Sequence, residues 1–442
     1  MSNLEVQSTG VTPRNSLSVG YTVYLIIVAL VGWALASYDF NLLVLTMPNI
    51  ASDLHLSSTL VGLLGFFVYA AEFVITMFVG YGMDKIGRRR MWQLSLVFAG
   101  VFTGLTYFVN NYTELAIVRA LASGFAMSEL AISVTLVNEQ LNPRYRGLLY
   151  SVVQGGWPLG VFLASGVYLE FIGYGWRTVF LWGVIPIIFV IIARIWVKES
   201  DRFLHIKKVR QALEDGRHEE VDRLLEIYPV DIRQLNKVTW LQLFAEKGYV
   251  RRQLLLLTAV WLFYSISYVA TNVYITYWLT TYDGWTDAQA AHMLLVAGGI
   301  GYLFYVLGGV LGEIFSRRNV LIVTGILTAP LNLLFLFVHQ HSLVFILYFV
   351  IYQVTNGTWS GAGYAYWGES FPTRVRGTAV GFLGAIFTLG LLIGSLLWTL
   401  LISVTTATAT WVIIAVVLAV GQWLTLALPR IKPGTKLEDI SA

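Results

Sequence analysis

Long apolar stretches limit what this chain of 442 residues can fold into more than any other feature. A helix needs about 20 consecutive apolar residues to cross roughly 30 Å of hydrocarbon. Twelve runs of suitable length lie near 20–48, 57–83, 91–109, 113–140, 147–169 and 177–198, and then near 252–281, 287–314, 319–338, 342–368, 377–402 and 405–428. With 57% of its residues hydrophobic and 12% charged, the chain is not an ordinary soluble domain. We predict an all-α membrane protein with six spanning helices in each half.

The Lys and Arg residues predict the orientation of these helices. Essentially all of them lie in both termini and in the loops 84–90, 144–146, 198–252, 317–318 and 374–376. Since cytoplasmic loops carry such an excess of positive charge, we expect both termini in the cytoplasm. The net charge of +4 is then a topological signal, so the expected partner is the lipid bilayer and no nucleic acid.

The expected domain organisation follows from the spans. Between the two sets lies a charged stretch with short helical patterns and no spanning run. We expect a cytoplasmic tail at 1–19, a six-helix bundle at 20–198, a cytoplasmic linker with short helices at 199–250, a second six-helix bundle at 251–428 and a cytoplasmic tail at 429–442. The chain has no cysteine, which excludes disulfides and thiolate metal sites. We expect no metal and no cofactor.

Two motifs occur once in each half of the chain. GYGMDKIGRRR at 80–90 matches GVLGEIFSRR at 309–318 with an offset of 229, and EQLNPRYRG at 139–147 matches ESFPTRVRG at 369–377 with an offset of 230. Two independent motifs at nearly one offset predict a parallel duplication. Transporters that rock two halves around a central site are built in this way.

These motifs make the chain resemble the major facilitator superfamily over its whole length. The loop G-x-x-x-D-K-x-G-R-R-R and the two copies of E-x(6)-R-G are similar to that family's signature loops. KESDRFL at 198–204 resembles a segment of sugar porters, and Glu129, ten residues after Arg119, resembles the G-G-E of sialate:proton and metabolite:proton symporters. The resemblance implies two pseudo-symmetric six-helix bundles in a multi-pass protein of a bacterial or archaeal plasma membrane, functional as a monomer.

Four ionisable residues lie inside the predicted spans of the first half: Asp39, Glu72, Arg119 and Glu129. A charge in hydrocarbon costs roughly 2.5–3.5 kcal/mol on insertion scales, so such residues are functional candidates. The resemblance implies that spans 1 and 4 line the central cavity, where Asp39 can meet Arg119. Deprotonated Asp39 would be held by Arg119 and protonated Asp39 would release it, which couples transport to a proton. A static ion pair is the alternative.

Glu129 lies nearly three helical turns after Arg119, on roughly the same face and about 15 Å further along the helix. This places it near mid-membrane, where substrate or a second proton would bind; a protonated Glu129 bonded to a neighbouring helix is the alternative. For Glu72 an interhelical polar contact is favoured. We assign proton coupling to Asp39, Arg119 and Glu129.

Charges at the cytoplasmic ends of the spans are expected to form a gate. They lie within reach of helix termini and of each other, and Asp84 can also cap the positive end of a helix from the other half. Contacts of this kind would lock the outward-facing state. The predicted gating residues are Asp84, Arg88, Glu139, Arg146, Glu313, Arg317, Glu369 and Arg376.

The second half offers aromatic and amide side chains in place of charges. Spans 7 and 10 each present a polar aromatic stripe, although helix packing with hydroxyls tied to neighbouring carbonyls is an alternative. The predicted substrate contacts are Tyr38, Asn41 and Glu129 in the first half and Tyr264, Tyr268, Asn272, Gln353, Asn356 and Trp359 in the second.

Transport is the function that these features favour. An enzyme is not expected, because the loops hold no phosphate cradle and no cluster of catalytic or metal-binding residues, and a channel needs polar rings repeated by symmetry. The expected activity is proton-coupled symport of a small organic acid or related metabolite by alternating access, with the proton gradient as energy source. Because the predicted spans hold three acids and one Arg, an organic cation or drug:proton antiporter is an alternative. A sugar transporter is the further alternative, although span 7 lacks the sugar-porter pattern Q-Q-x-x-G-x-N.

Overall fold

The computed structural model describes residues 18–140, 146–227, 244, 248–371 and 373–431. In the first half of this part of the chain the helices are α1 (Val19–Asp53), α2 (Ser58–Ile86), α3 (Arg88–Leu105), α4 (Tyr112–Gln140), α5 (Arg146–Gln154), α6 (Gly156–Phe171), α7 (Trp176–Ala193), α8 (Asp201–Glu214) and α9 (His218–Ile227). In the second half they are α10 (Tyr249–Tyr268), α11 (Ile275–Tyr282), α12 (Asp287–Phe315), α13 (Arg317–Phe335), α14 (His341–Phe349), α15 (Thr358–Glu369), α16 (Thr373–Val404) and α17 (Ala407–Trp423).

Within the described residues, 11 helical segments are long and apolar enough to cross a membrane. The prediction of an all-α protein with many spans is therefore confirmed. The run near 252–281 is not among the 11. In the structure this run is divided: α10 ends at a π-helical segment, Val269–Val273, and α11 has only 8 residues. Span 10 contains a similar π-helical segment, Val350–Gly357, and span 5 is divided at Gly155. π-helical turns are frequent at functional sites.

Helices α1 to α7 form one bundle and α10 to α17 form another. In the first bundle α1 packs along α6 and α2 along α4, and in the second α10 packs along α16 and α17. The bundles meet where α2 lies against α16 and α6 against α12, and a smaller contact joins α1 to α11. A core of apolar side chains continues through both bundles.

The duplication is visible in the backbone. α3 begins at Arg88 and α13 begins at Arg317, which reproduces the offset of the sequence motifs. The residue before each helix has a positive φ, 109° at Gly87 and 75° at Ser316. Glycine adopts this conformation freely, whereas serine is strained in it. The second bundle therefore keeps the turn of the first even where it has lost the glycine.

Glycines of the stretch GGWPLG at 155–160 bring α6 close to α1. A Cβ atom on Gly156 would lie 2.6 Å from the carbonyl oxygen of Leu30, and one on Gly160 would lie 2.7 Å from the amide nitrogen of Tyr38. Real Cβ atoms do not approach backbone so closely, and small residues permit such contacts between membrane helices. These glycines therefore fix the position of the helix that carries Asp39.

Candidate functional site

A buried ion pair joins α1 to α4. Arg119 Nη2 donates to Asp39 Oδ2 at 2.8 Å, and Nη1 donates to Oδ1 at 3.2 Å. Nη2 also donates to the carbonyl oxygen of Asp39 at 3.2 Å. Asp39 is 1% exposed and Arg119 is fully buried. The structure thus brings together two of the three residues predicted for proton coupling, in the bidentate geometry that makes an Arg–carboxylate contact strong.

Two further helices complete the surroundings of this pair. The Thr103 hydroxyl of α3 donates to Asp39 Oδ1 at 2.5 Å, and the Arg119 guanidinium lies 4.8 Å from the centre of the Phe180 ring of α7. Both charged side chains therefore point into the first bundle. The space between the bundles is lined instead by their neighbours, Phe40 and Ser123.

Glu129 forms a second buried ion pair. Its Oε1 accepts hydrogen bonds from Arg194 Nη2 and from Trp92 Nε1, both at 2.7 Å. The Arg194 guanidinium lies 4.1 Å from the centre of the Trp92 ring, and both members of the pair are buried. The expectation of three membrane acids against one Arg is therefore wrong. Arg194 lies in the last turn after α7, and its position near the end of the apolar run concealed it.

Glu72 of α2 is the third buried acid of the first bundle. The Ser123 hydroxyl of α4 donates to its Oε1. Its Oε2 has no hydrogen-bond partner in the described part of the chain. The arrangement is the interhelical polar contact that the sequence favoured for this residue.

Arg317 binds two of the predicted gating carboxylates of the second bundle. Its Nε donates to Glu369 Oε2 at 2.5 Å, and its Nη2 donates to Glu369 Oε1 at 2.6 Å and to Glu313 Oε1 at 2.5 Å. The guanidinium is nearly buried, whereas both carboxylates are partly exposed. This cluster ties the ends of α12, α13 and α15 together within one bundle.

Glu199 holds the corresponding end of the first bundle, and sequence reasoning missed it. Its carboxylate accepts from the backbone N–H groups of Arg88 at 3.1 Å and Arg89 at 3.2 Å, at the positive end of α3. The Arg88 guanidinium lies 4.7 Å from the centre of the Phe203 ring. KESDRFL was the available signal, because it contains both Glu199 and Phe203. The side chains of four predicted gating residues lie outside the described part of the chain: Asp84, Glu139, Arg146 and Arg376.

One internal pocket, the larger pocket, lies in the second bundle. In this conformation its free volume is about 20 Å³, close to what one water molecule needs. Four predicted substrate residues line it: Tyr264, Tyr268, Asn272 and Asn356. The Tyr264 hydroxyl donates to Asn356 Oδ1 at 2.8 Å. Among the described residues, Asn272 Oδ1 and Asn356 Nδ2 have no partner, so both are available to a ligand.

Residues of α13, α17 and span 10 also line this pocket, and the sequence analysis did not identify them. Asn332 comes from α13, Gln422 from α17 and Tyr352 from the π-helical segment of span 10. Each of the two amides stands alone in an apolar run, LTAPLNLLF and AVGQWL. An isolated polar side chain in a spanning segment was the signal that could have found them.

Two predicted substrate residues of span 10 face other helices. Gln353 is fully buried and faces Gly301 of α12. Trp359 packs on the rings of Trp261 and Tyr264, with centroid separations of 4.7 and 4.5 Å. Neither residue lines the pocket.

The predicted substrate residues of the first bundle also lie away from this pocket. Tyr38 is fully buried with its hydroxyl near Gly183 of α7. Asn41 Nδ2 donates to the Ser37 carbonyl oxygen one turn earlier at 2.7 Å, and Glu129 is held in its ion pair. Which residues of a helix face a cavity depends on the rotation of that helix, which a run of apolar residues does not specify.

Trp157 of α6 joins the two bundles at the wall of the pocket. Its Nε1 lies 3.0 Å from the Tyr268 hydroxyl and 3.2 Å from the Tyr352 hydroxyl. The two hydroxyls are 3.2 Å apart. A side chain of the first bundle thus completes a polar cluster of the second.

Polar contacts also close the space between the bundles at the end opposite Arg88 and Arg317. Asn49 Nδ2 donates to Asp287 Oδ2 at 2.7 Å, and the Ser58 hydroxyl lies 3.0 Å from that of Tyr277. Next to them lies the smaller pocket, between α1, α2, α4 and the π-helical segment of span 7, with a free volume of about 10 Å³.

Three relatives resemble the chain over most of its length. A putative metabolite transport protein of Escherichia coli is 25% identical over 373 residues, which are 82% of this chain and 81% of that protein. The cis,cis-muconate transport protein of Acinetobacter baylyi is 24% identical over 78% of each chain. A sialic acid transporter of Escherichia coli is 23% identical over 80% of this chain and 81% of its own.

A solved proton:xylose symporter has the same fold. Its TM-score is 0.72 at 18% identity, and the match covers 95% of this chain and 99% of the symporter. Relatives and structural neighbours alike are transporters and not enzymes, and the multi-pass, plasma-membrane location predicted above is confirmed. The sequence profile of the Major Facilitator Superfamily matches residues 29–304 and 261–441. The chain therefore belongs to the major facilitator superfamily.

Proposed function

We propose that this chain carries a small organic acid or a related metabolite together with protons by alternating access. The observation that carries the proposal is the buried pair of Asp39 and Arg119. Protonation of Asp39 removes the counter-ion of a guanidinium that is closed off from water, and an uncompensated buried charge costs roughly 3–5 kcal/mol. Proton uptake therefore forces the pair to rearrange, which is what coupling requires.

The rearrangement reaches the substrate path through α1. Ionised Asp39 fixes α1 to α4, and protonation removes that bond. Phe40, the next residue, lines the space between the bundles, so a shift of α1 changes the shape of that space. A proton and a substrate that favour the same position of α1 then bind cooperatively.

The pocket of the second bundle is proposed to bind the uncharged part of the substrate. Its lining offers phenol and amide hydrogen bonds, and no charged residue is among those that line it in the described part of the chain. Muconate and sialic acid, after which two relatives are named, are organic acids, and this supports the same substrate class here. An organic cation is disfavoured, because Arg194 neutralises Glu129. A sugar is the second candidate, since the pocket has the amides that suit hydroxyl groups.

We further propose twelve spans, with α10 and α11 as the two parts of a broken seventh span and with both termini and 199–250 in the cytoplasm. The monomer is the proposed functional unit. Because the chain has no cysteine, a single cysteine at Asp215 gives a clean test. It should not react with an impermeant thiol reagent applied to intact cells, and reaction from outside would refute the topology.

Asp39→Asn tests the proposed coupling. The amide mimics the protonated carboxyl, so accumulation driven by an imposed pH gradient in proteoliposomes should be lost while counterflow persists. Labelled cis,cis-muconate, N-acetylneuraminate and xylose are the substrates to compare, because they separate the organic-acid from the sugar candidate. Glu170→Gln, which neutralises an exposed acid at a span end, is the matched control. Full gradient-driven accumulation by the Asp39→Asn protein would refute the proposal.

A further inference from the structure

Glu72 is a buried acid that the proposed coupling step does not use. It is fully buried, it receives one hydrogen bond from Ser123, and no Lys, Arg or His of the described residues forms an ion pair with it. An ionised carboxylate in such a place is an uncompensated charge. Glu72 is therefore protonated in this conformation.

Helix α4 connects Glu72 to the ion pair. Arg119 and Ser123 are one turn apart on the same face of α4; Arg119 holds Asp39 of α1, and Ser123 holds Glu72 of α2. Glu72 is close enough to interact electrostatically with both Asp39 and Arg119.

The other titratable groups nearby are two phenols. Tyr69 lies one turn before Glu72 on α2, and Tyr274 of span 7 is close enough to interact electrostatically with Tyr69. Within the described residues, α16, which also packs on α2, presents no charged side chain to Glu72. Two carboxyl groups, one guanidinium and one proton thus give the cluster a net charge of zero.

We propose that Asp39 and Glu72 form a proton relay around Arg119. Glu72 holds the proton while Asp39 is paired; when Asp39 takes up a proton, Glu72 releases its own and becomes the counter-ion of Arg119. One O–H bond forms on Asp39 and one breaks on Glu72, so the charge of the cluster stays constant and the two groups titrate as a coupled pair. The inference rests on the proposed coupling through Asp39.

The relay gives the proton a direction of travel. Ser123 and Tyr69, which adjoin Glu72, line the smaller pocket between the bundles. A proton released from Glu72 reaches this pocket, whereas Asp39 is bonded to Thr103 of α3, inside the first bundle. Uptake and release therefore take place at different carboxyl groups.

Infrared difference spectroscopy of the purified protein tests the relay without a transport assay. Near neutral pH the wild type should show the C=O band of a protonated, buried carboxyl group. Glu72→Gln should remove this band, and the exposed-acid control Glu170→Gln should keep it. Asp39→Asn should also remove the band, because Arg119 then needs Glu72 as an ionised partner. A band that survives in Asp39→Asn, or that is unchanged by Glu72→Gln, overturns the proposal.

Thermal unfolding gives a second readout. Glu72→Gln replaces a neutral acid by a neutral amide and should leave the melting temperature close to that of the wild type. The double variant Asp39→Asn with Glu72→Gln leaves Arg119 without an acid and should melt below both single variants; equal melting of the double and the Asp39→Asn variants would contradict the relay. Because neither readout measures transport, a coupling failure of Asp39→Asn in proteoliposomes is separable from a failure of the relay.

Discussion

Removing either member of the Glu129–Arg194 pair should destabilise the first bundle, but with a different dependence on pH. In Glu129→Gln the amide oxygen can still accept from Trp92, so the change deletes one charge and little else. It leaves a fully buried guanidinium beside the Trp92 ring. Breaking a buried pair on one side costs roughly 3–5 kcal/mol, and arginine cannot lose its proton to escape that cost.

Arg194→Met leaves the buried carboxylate of Glu129, which, unlike an arginine, can become neutral by taking up a proton. Protonating an ordinary glutamate near neutral pH costs about 3–4 kcal/mol, and each pH unit of acidification lowers this by about 1.4 kcal/mol. The melting temperature of Arg194→Met should therefore approach that of the wild type as the pH falls. Glu129→Gln should show no such recovery. The double variant should recover most of the loss at all pH values, because it buries no charge.

Thermal unfolding in detergent, followed by tryptophan fluorescence between mildly alkaline and mildly acidic pH, measures all three variants. Ligand binding measured on the same samples decides between this structural role and the substrate contact that the sequence allowed for Glu129. If Glu129→Gln keeps the wild-type melting temperature but loses ligand affinity, the reasoning from the ion pair is refuted and Glu129 contacts the substrate.

Three further changes test other parts of the structure. Asn49→Ala removes a hydrogen bond to the Asp287 carboxylate, which costs about 1.5–3 kcal/mol. A cysteine at Leu43 should then react faster with an impermeant reagent applied from outside. An unchanged rate would show that this contact does not hold the bundles closed. Arg317→Gln should slow turnover and shift the protein towards inward-facing states with little change in ligand affinity, and a large loss of affinity would speak against a gate. Ser316→Gly should raise the free energy of unfolding by about 1 kcal/mol, because it relieves a positive φ, and a lower melting temperature would contradict this.

The position and order of most membrane helices could be predicted from the sequence because hydrocarbon thickness fixes the length of an apolar run. The breaks in these helices could not. The π-helical segments Val269–Val273 and Val350–Gly357 consist of residues that an ordinary helix accepts equally well, and packing against the neighbouring helices decides between the two. The turn at Ser316 could not be predicted either, since only its alignment with Gly87 shows that both copies of the duplication have a positive φ at this position.

The part of the candidate site that could be predicted is the part where a buried charge requires an oppositely charged side chain beside it. Asp39 and Arg119 stand alone in apolar runs of neighbouring helices, and the cost of a lone charge drives them together. Arg194 was missed because the end of a span is an ordinary place for an arginine, so its burial depends on the depth of Glu129 and Trp92. The uncharged residues were less predictable, since their direction depends on helix rotation and not on the cost of burial.

The duplication also explains why the two bundles differ in chemistry. At the offsets of the repeated motifs, the counterparts of Asp39, Glu72, Arg119 and Glu129 are Tyr268, Gly301, Phe349 and Trp359. Each of these four charged positions of the first bundle is thus uncharged in the second. Under the proposed function, a proton bound in the first bundle must act on a substrate bound in the second.

The structure contains a short path for this effect. Phe40 follows Asp39 and packs on Trp157, with ring centroids 5.3 Å apart, and Trp157 donates to Tyr268 in the wall of the larger pocket. Under the proposed coupling, protonation frees Asp39 from Arg119, and the resulting shift of α1 moves Phe40 against Trp157 and Trp157 against Tyr268. Tyr268, the counterpart of Asp39 in the duplication, is then the residue of the second bundle through which the proposed proton site acts on the pocket.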